Sequence, residues 1–137
     1  MFHISVLHSS TSFLPVLFGG VAIVLHSSGR IFQKYILKAI SYRLYLLTCL
    51  VTALTCGFGG ASIRKTEAVF GIDPFIVKTH AWTAMTVFLL TLVLAFYSYN
   101  AIKGRRAEAK TDKILFLVSL SFLFFFIFTV IVAFQIR

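Results

Sequence analysis

The sequence has little charge, and acidic residues are the scarcest. Of its 137 residues 12% are charged, with 13 Lys and Arg against 4 Asp and Glu. So few charges cannot cover a soluble domain of this length, and they are gathered in short patches between long uncharged runs. With 59% hydrophobic residues and a mean hydropathy of +0.95, the chain is typical of an integral membrane protein. The basic residues flank apolar segments, so we expect them to contact lipid headgroups and expect no nucleic-acid partner.

Cysteine and catalytic motifs are equally sparse. Cys49 and Cys56 lie in one apolar run, about 10 Å apart along a helix, which is too far to pair. No Cys–Cys or Cys–His spacing indicates a zinc or iron–sulfur site, and no P-loop, dinucleotide motif or Ser–His–Asp grouping is present. No acidic residue lies inside an expected span, so a carboxylate proton relay has no candidate. We therefore expect no catalytic activity of the chain on its own.

Long uncharged segments organise the whole chain. Four such runs stand out, at 1–29, 44–63, 81–102 and 114–136. Each reaches the ~20 residues that a helix needs to cross the bilayer, and none alternates like a barrel strand. We predict an all-α fold, an integral membrane four-helix bundle that forms one transmembrane domain over 1–137. The expected spans are about 4–28, 43–62, 74–101 and 113–136. No basic segment precedes the first run, so we expect no cleaved signal peptide.

The basic residues are divided unevenly between the two sides of such a bundle. Nine lie in the segments 30–43 and 103–113, and four lie on the opposite side. The positive-inside rule therefore predicts that these two segments face the cytoplasm, or an equivalent compartment, and that both termini lie on the other side.

Local signals predict where several helices end. Asp73 followed by Pro74 is a good N-cap and first-turn pair, so we expect the third helix to begin near Pro74. Gly29 and Gly104 stand where the first and third helices need a C-cap. Within 31–41, apolar residues recur at helical spacing opposite two lysines, which indicates either a separate interfacial helix or the start of a long, bent second span.

Small residues indicate which helix faces pack together, because they let helix backbones approach closely in a membrane. The packing positions that we select are Gly19 on the first helix and Ala53, Gly57 and Gly60 on the second. The fourth helix is surrounded by phenylalanines between 122 and 128, so we expect it to be the helix most exposed to lipid or to a partner subunit.

Histidines are the candidate functional residues, because ionisable groups within spans are costly and mark function by default. His8 on the first helix and His80 on the third lie in the same leaflet. If the two helices face each other, the imidazoles could ligate the iron of a b-type haem, or one could hydrogen-bond a quinone. The alternative is that both simply bond backbone or hydroxyl groups in the bundle. His26 is a further, weaker cofactor candidate, about 27 Å from His8 along the helix and with no second histidine at its depth.

A few residues resemble a family of small, uncharacterised bacterial four-helix membrane proteins. In that family the first helix opens with Leu-His-Pro, with a second proline six residues after the first; Leu7-His8 and Pro15 match this spacing, although Ser9 replaces the first proline and Phe13 stands where a second histidine is common. His80-Ala81 matches the start of its third helix, and the glycines from 57 to 60 fit the end of its second. The resemblance implies a four-helix bundle and leaves a redox association open. Cytochrome b bundles offer an analogy of architecture alone.

Three functions follow from these observations. We expect a small non-enzymatic transmembrane subunit that packs against other subunits of a larger respiratory or photosynthetic complex, in the bacterial inner membrane or an equivalent energy-converting membrane. The second hypothesis is a redox module that binds haem b or a quinone through His8 and His80; metal binding by these residues is expected only if haem is bound. The third is a small carrier or channel, which the lack of buried charge disfavours.

Overall fold

The computed structural model describes residue 8 and residues 11–70, 73–104 and 109–134, with the side chains of 61–70 excepted. The described residues form four helices and no strand, which confirms the all-α prediction. These helices are α1 (Leu14–Ile31), α2 (Tyr35–Phe70), α3 (Pro74–Lys103) and α4 (Ala109–Phe134). All four contain stretches long and apolar enough to cross a membrane, so this is a multi-pass membrane protein by length and composition.

The helices form a four-helix bundle in which each packs against two neighbours. The main contacts join α1 with α2, α2 with α3, α3 with α4, and α4 with α1. Consequently α1 and α3 lie at opposite corners. One end of the bundle carries the α1–α2 turn and the start of α4; we call it the Asp112 end. The other carries His8 and His80, and we call it the His8 end.

The helix boundaries follow from capping chemistry at two of the predicted positions. Pro74 is the first residue of α3, and the Asp73 carboxylate accepts a hydrogen bond of 2.9 Å from the Phe75 N–H, which confirms the predicted start. At the other end of α3 the Gly104 N–H donates to Asn100 O at 2.9 Å.

Gly29 does not end α1, contrary to the expectation that it caps the helix. The helix continues to Ile31, and Gln33 makes the turn at φ 53°, a left-handed conformation uncommon outside glycine. Gly29 instead lies where α1 meets α2, and a Cβ there would be 2.7 Å from Lys38 Cγ. Residues 35–41 form the first turns of the continuous α2, so the structure has no separate helix over 31–41.

The core between the helices combines apolar and aromatic side chains with buried hydroxyls. Its apolar members include Ala22, Tyr45, Leu94, Leu115 and Phe122. A Cβ at Gly19 would lie 2.6 Å from Phe122 Cε1, so the absence of a side chain there lets the Phe122 ring pack against α1.

α4 contributes to the core as well as to the outer surface. Phe122 is buried, whereas Phe124, Phe128 and Phe134 are exposed. α3 also presents large exposed side chains, including Trp82 and Phe96. Outward-facing aromatic residues therefore lie on both α3 and α4, so they do not single out α4 as the helix that contacts lipid or a partner.

Candidate functional site

His8 and His80 lie against each other at the His8 end of the bundle. Their ring centroids are 6.5 Å apart, with the ring planes at 79°. His8 lies six residues before the start of α1, and His80 lies in the second turn of α3. The two residues meet although α1 and α3 occupy opposite corners of the bundle.

Each ring is oriented by a backbone carbonyl of a different helix. His8 Nδ1 lies 3.0 Å from Thr55 O on α2, and His80 Nδ1 lies 3.3 Å from Thr129 O on α4. A carbonyl can only accept, so Nδ1 carries the proton in both rings. In the neutral form each ring then has its lone pair on Nε2. Metal-binding histidines are oriented in the same way, with one ring N–H bonded to a carbonyl and the other nitrogen on the metal.

Gly59 allows His8 to lie against α2. A Cβ at position 59 would be 2.8 Å from His8 Cε1 and 3.0 Å from His8 Nδ1, so a side chain there would displace the ring. A Cβ at Gly57 or Gly60 would meet nothing within 4 Å. The close approach on this part of α2 therefore falls at Gly59 rather than at the two glycines selected from the sequence. Ala53, the remaining position of that set, is half-buried.

The His8 end offers two imidazoles, those of His8 and His80, as potential metal ligands. Among the described residues, no group of three or more His, Cys, Asp or Glu could hold a metal, whereas protein sites for bare ions take three or four ligands. A b-type haem needs only two axial ligands from the protein.

A second polar centre lies at the Asp112 end and joins three helices. Asp112 Oδ1 is 2.9 Å from His26 Nε2 and accepts a hydrogen bond of 3.2 Å from the Tyr42 hydroxyl. Arg30 Nη1 lies 3.1 Å from Oδ2, and Lys38 Nζ lies 3.4 Å from Oδ1. The carboxylate on α4 is thus paired with two cations, one from α1 and one from α2.

His26 is fully buried and uses both of its ring nitrogens within this centre. Its Nε2 donates to Asp112, and its Nδ1 lies 3.2 Å from the Tyr45 hydroxyl, which donates to it when the ring is neutral. These contacts form a continuous Tyr45–His26–Asp112 chain. A cofactor bound to His26 would have to displace one of these partners, so the structure gives His26 no open ligand position.

Asp112 is the residue that sequence reasoning missed. The expected fourth span begins at 113 and leaves Asp112 outside it, whereas α4 begins at Ala109 and buries Asp112 in its first turn. A usable signal was present in the spacing of its partners. His26 and Arg30 are four residues apart, as are Lys38 and Tyr42, so each pair shares one helix face that an acidic residue could join.

Comparison with protein-family models, with curated proteins and with solved structures finds no match to this chain.

Proposed function

We propose that this protein is a small transmembrane subunit of a larger electron-transfer complex and that it binds a b-type haem between His8 and His80. The observation that carries the proposal is the pair of imidazoles 6.5 Å apart, each fixed by its Nδ1–H to a carbonyl of a neighbouring helix. Such a haem would exchange one electron with its partners. His8 and His80 would hold the haem through their Nε2 lone pairs, while their Nδ1 atoms stay bonded to Thr55 O and Thr129 O.

The same geometry favours haem over a quinone. A quinone carbonyl needs a hydrogen-bond donor, but a neutral ring with its proton on Nδ1 offers a lone pair at Nε2. The Nδ1 protons of His8 and His80 are already donated to Thr55 O and Thr129 O. The free Nε2 lone pairs of His8 and His80 therefore suit a metal centre better than a quinone carbonyl.

The placement in the membrane belongs to this proposal. The 30–43 and 103–113 segments face the cytoplasm, which puts the Asp112 end on that side and the His8 end near the opposite surface. A bacterial inner membrane or an equivalent energy-converting membrane would supply the electron-transfer partners. Other subunits would contact outward-facing aromatic residues such as Trp82 and Phe124, which are 74% and 66% exposed.

A cofactor-free structural subunit is the second candidate, and one observation favours it. The two rings already lie edge to face and each bonds a carbonyl, so the pair can link the chain at His8 with α2, α3 and α4 without a ligand. In that case the histidines would contribute to assembly alone.

The test is a reduced-minus-oxidised visible spectrum of the detergent-purified protein, with haem extraction from the same sample. We expect a b-type α-band that is lost in His8→Leu and in His80→Leu and retained in Thr86→Val, which changes an exposed hydroxyl of α3. A featureless spectrum from well-folded, haem-supplied protein would refute haem binding and leave the structural subunit.

A further inference from the structure

The Asp112 end carries more positive charge than its paired carboxylate can neutralise. Arg30 and Lys38 both contact the Asp112 carboxylate, and their side chains remain 34% and 24% exposed. In the sequence, the segments 30–43 and 103–113 contain nine basic residues and two acidic ones. The proposed haem site lies at the other end of the bundle and uses none of these residues. The Asp112 end is therefore suited to bind an anion.

Arg30 is held at the rim of the bundle by contacts with α4. Its Nη1 donates to the Asp112 backbone O at 3.3 Å and lies 3.1 Å from Asp112 Oδ2. Its Cζ lies 4.7 Å from the centre of the Phe116 ring. A guanidinium has five N–H donors in a fixed fork, and a single nitrogen makes both contacts with Asp112. The side chain can thus bond a second anion while it stays on Asp112.

Lys38 reaches the same carboxylate from α2. A Cβ at Gly29 would be 2.7 Å from Lys38 Cγ, so the lysine stem crosses α1 at the residue before Arg30. Lys38 Nζ lies 3.4 Å from Asp112 Oδ1. Arg30 and Lys38 therefore lie close together on one carboxylate, and the three groups have an excess of one positive charge. A second anion in contact with both cations would offset that excess.

Large apolar side chains adjoin the two cations in the α1–α2 turn. Ile31, Phe32 and Ile36 are 74%, 66% and 67% exposed, and Lys34 is exposed between them. Apolar side chains next to basic ones are typical of the boundary between the acyl chains and the headgroups of a membrane. A soluble phosphate would contact the cations alone, whereas a phospholipid would also cover the apolar side chains. The composition of the turn therefore favours a lipid.

From these contacts we infer that the Asp112 end binds one anionic phospholipid. Its phosphate lies between Arg30 and Lys38, and its acyl chains lie along the exposed apolar residues of the α1–α2 turn. Asp112, itself bonded to His26 and Tyr42, holds the two cations in position. In the proposed orientation this end faces the cytoplasm, and the cytoplasmic leaflet is the one whose anionic lipids attract basic residues next to membrane helices.

The test is native mass spectrometry of the full-length protein released from a neutral detergent, which counts bound lipids and compares their affinities. We expect one phosphatidylglycerol to bind more tightly than phosphatidylcholine with the same acyl chains. Arg30→Gln and Lys38→Gln each remove a charge and keep an N–H donor for Asp112. Each should weaken the binding of phosphatidylglycerol about fivefold.

Lys103→Gln is the matched control for the loss of one positive charge. Lys103 is exposed at the same end of the bundle, in the last turn of α3. Because α3 occupies the corner opposite α1, this variant should bind phosphatidylglycerol as the wild type does. An equal loss of affinity in Lys103→Gln and Arg30→Gln would show a diffuse attraction to the whole end and would overturn the inference.

Two other results would also overturn it. Equal affinities for phosphatidylcholine and phosphatidylglycerol would show that the cations do not select the headgroup. Displacement of the lipid by glycerol phosphate would assign the cations to a soluble anion. Circular dichroism in the same detergent shows which variants fold, and Lys34→Gln, at an exposed position of the turn, replaces any that do not. Haem binding is read separately from the visible spectrum, so either proposal can fail without the other.

Discussion

His26 and Asp112 are 86 residues apart in the chain, yet their side chains meet at 2.9 Å and join α1 to α4. The contact places a carboxylate in the first turn of a membrane helix and surrounds it with an imidazole, a phenol and two cations. The imidazole is fully buried. The pair therefore links α1 and α4 at this end of the bundle.

Removing the Asp112 carboxylate should destabilise the bundle. Asp112→Ala leaves Arg30 and Lys38 without their anion and leaves His26 Nε2 without an acceptor. Loss of one partner of a buried ion pair costs about 3–5 kcal/mol, and the partial exposure of this pair favours the low end, about 3 kcal/mol. The measurement is reversible unfolding in mixed micelles.

Asp73→Asn is the matched control for this loss of a negative charge. Asp73 is exposed and caps α3, and asparagine caps about as well. We expect this variant to unfold like the wild type. Equal stability of Asp112→Ala and wild type would contradict the role assigned to the buried pair.

The packing of α1 against α4 depends on the missing side chain at position 19. Gly19→Ala would bring a Cβ within 2.6 Å of Phe122 Cε1, and overpacking of this kind costs about 1–3 kcal/mol. Gly20→Ala adds the same methyl group one residue along the helix, where nothing lies within 4 Å, so it should be neutral or stabilising by up to about 1 kcal/mol. The measurement is the unfolding midpoint of each variant. A larger loss of stability in Gly20→Ala than in Gly19→Ala would contradict the packing described here.

The position of His8 depends on Gly59. Gly59→Ala should displace the imidazole, because the new Cβ would lie 2.8 Å from Cε1, and should lower the haem content of purified protein. Gly60→Ala is the control, since its Cβ would meet nothing within 4 Å. Haem-to-protein ratios measured after identical expression test the difference. Equal ratios in the two variants would show that Gly59 does not position a ligand.

The orientation in the membrane can be tested by cysteine labelling. In a background with Cys49 and Cys56 changed to serine, Gln33→Cys and Asp73→Cys place single thiols at exposed positions of opposite ends. A membrane-impermeant maleimide added to intact cells should label position 73 and not position 33. The reverse pattern would invert the proposed orientation.

Much of the fold could be predicted from the sequence because hydrophobic length and capping residues are local signals. The four helices and the start of α3 at Pro74 follow from them directly. The rotation of each helix about its axis is not local. The sequence predicts packing at Gly57 and Gly60, whereas the close approach falls at Gly59. A step of one residue along a helix changes the direction of a side chain by about 100°.

In the polar sites, too, some features follow from local sequence and others depend on how the helices pack. That His8 and His80 lie in one leaflet could be predicted by counting residues, but their contact depends on how four helices close around them. Asp112 was missed because a charged residue at the edge of an apolar run looks like a loop residue. Its burial depends on contacts with His26, Lys38 and Tyr42, which lie on other helices.

The central claim is that His8 and His80 bind one iron, and electron paramagnetic resonance of the oxidised, haem-containing protein tests it most directly. Two imidazole ligands make ferric haem low-spin, so the account predicts a low-spin signal in the wild type. In His80→Ala that signal should become high-spin, and added imidazole should restore the low-spin form. A low-spin signal that persists unchanged in both His80→Ala and His8→Ala would contradict the account.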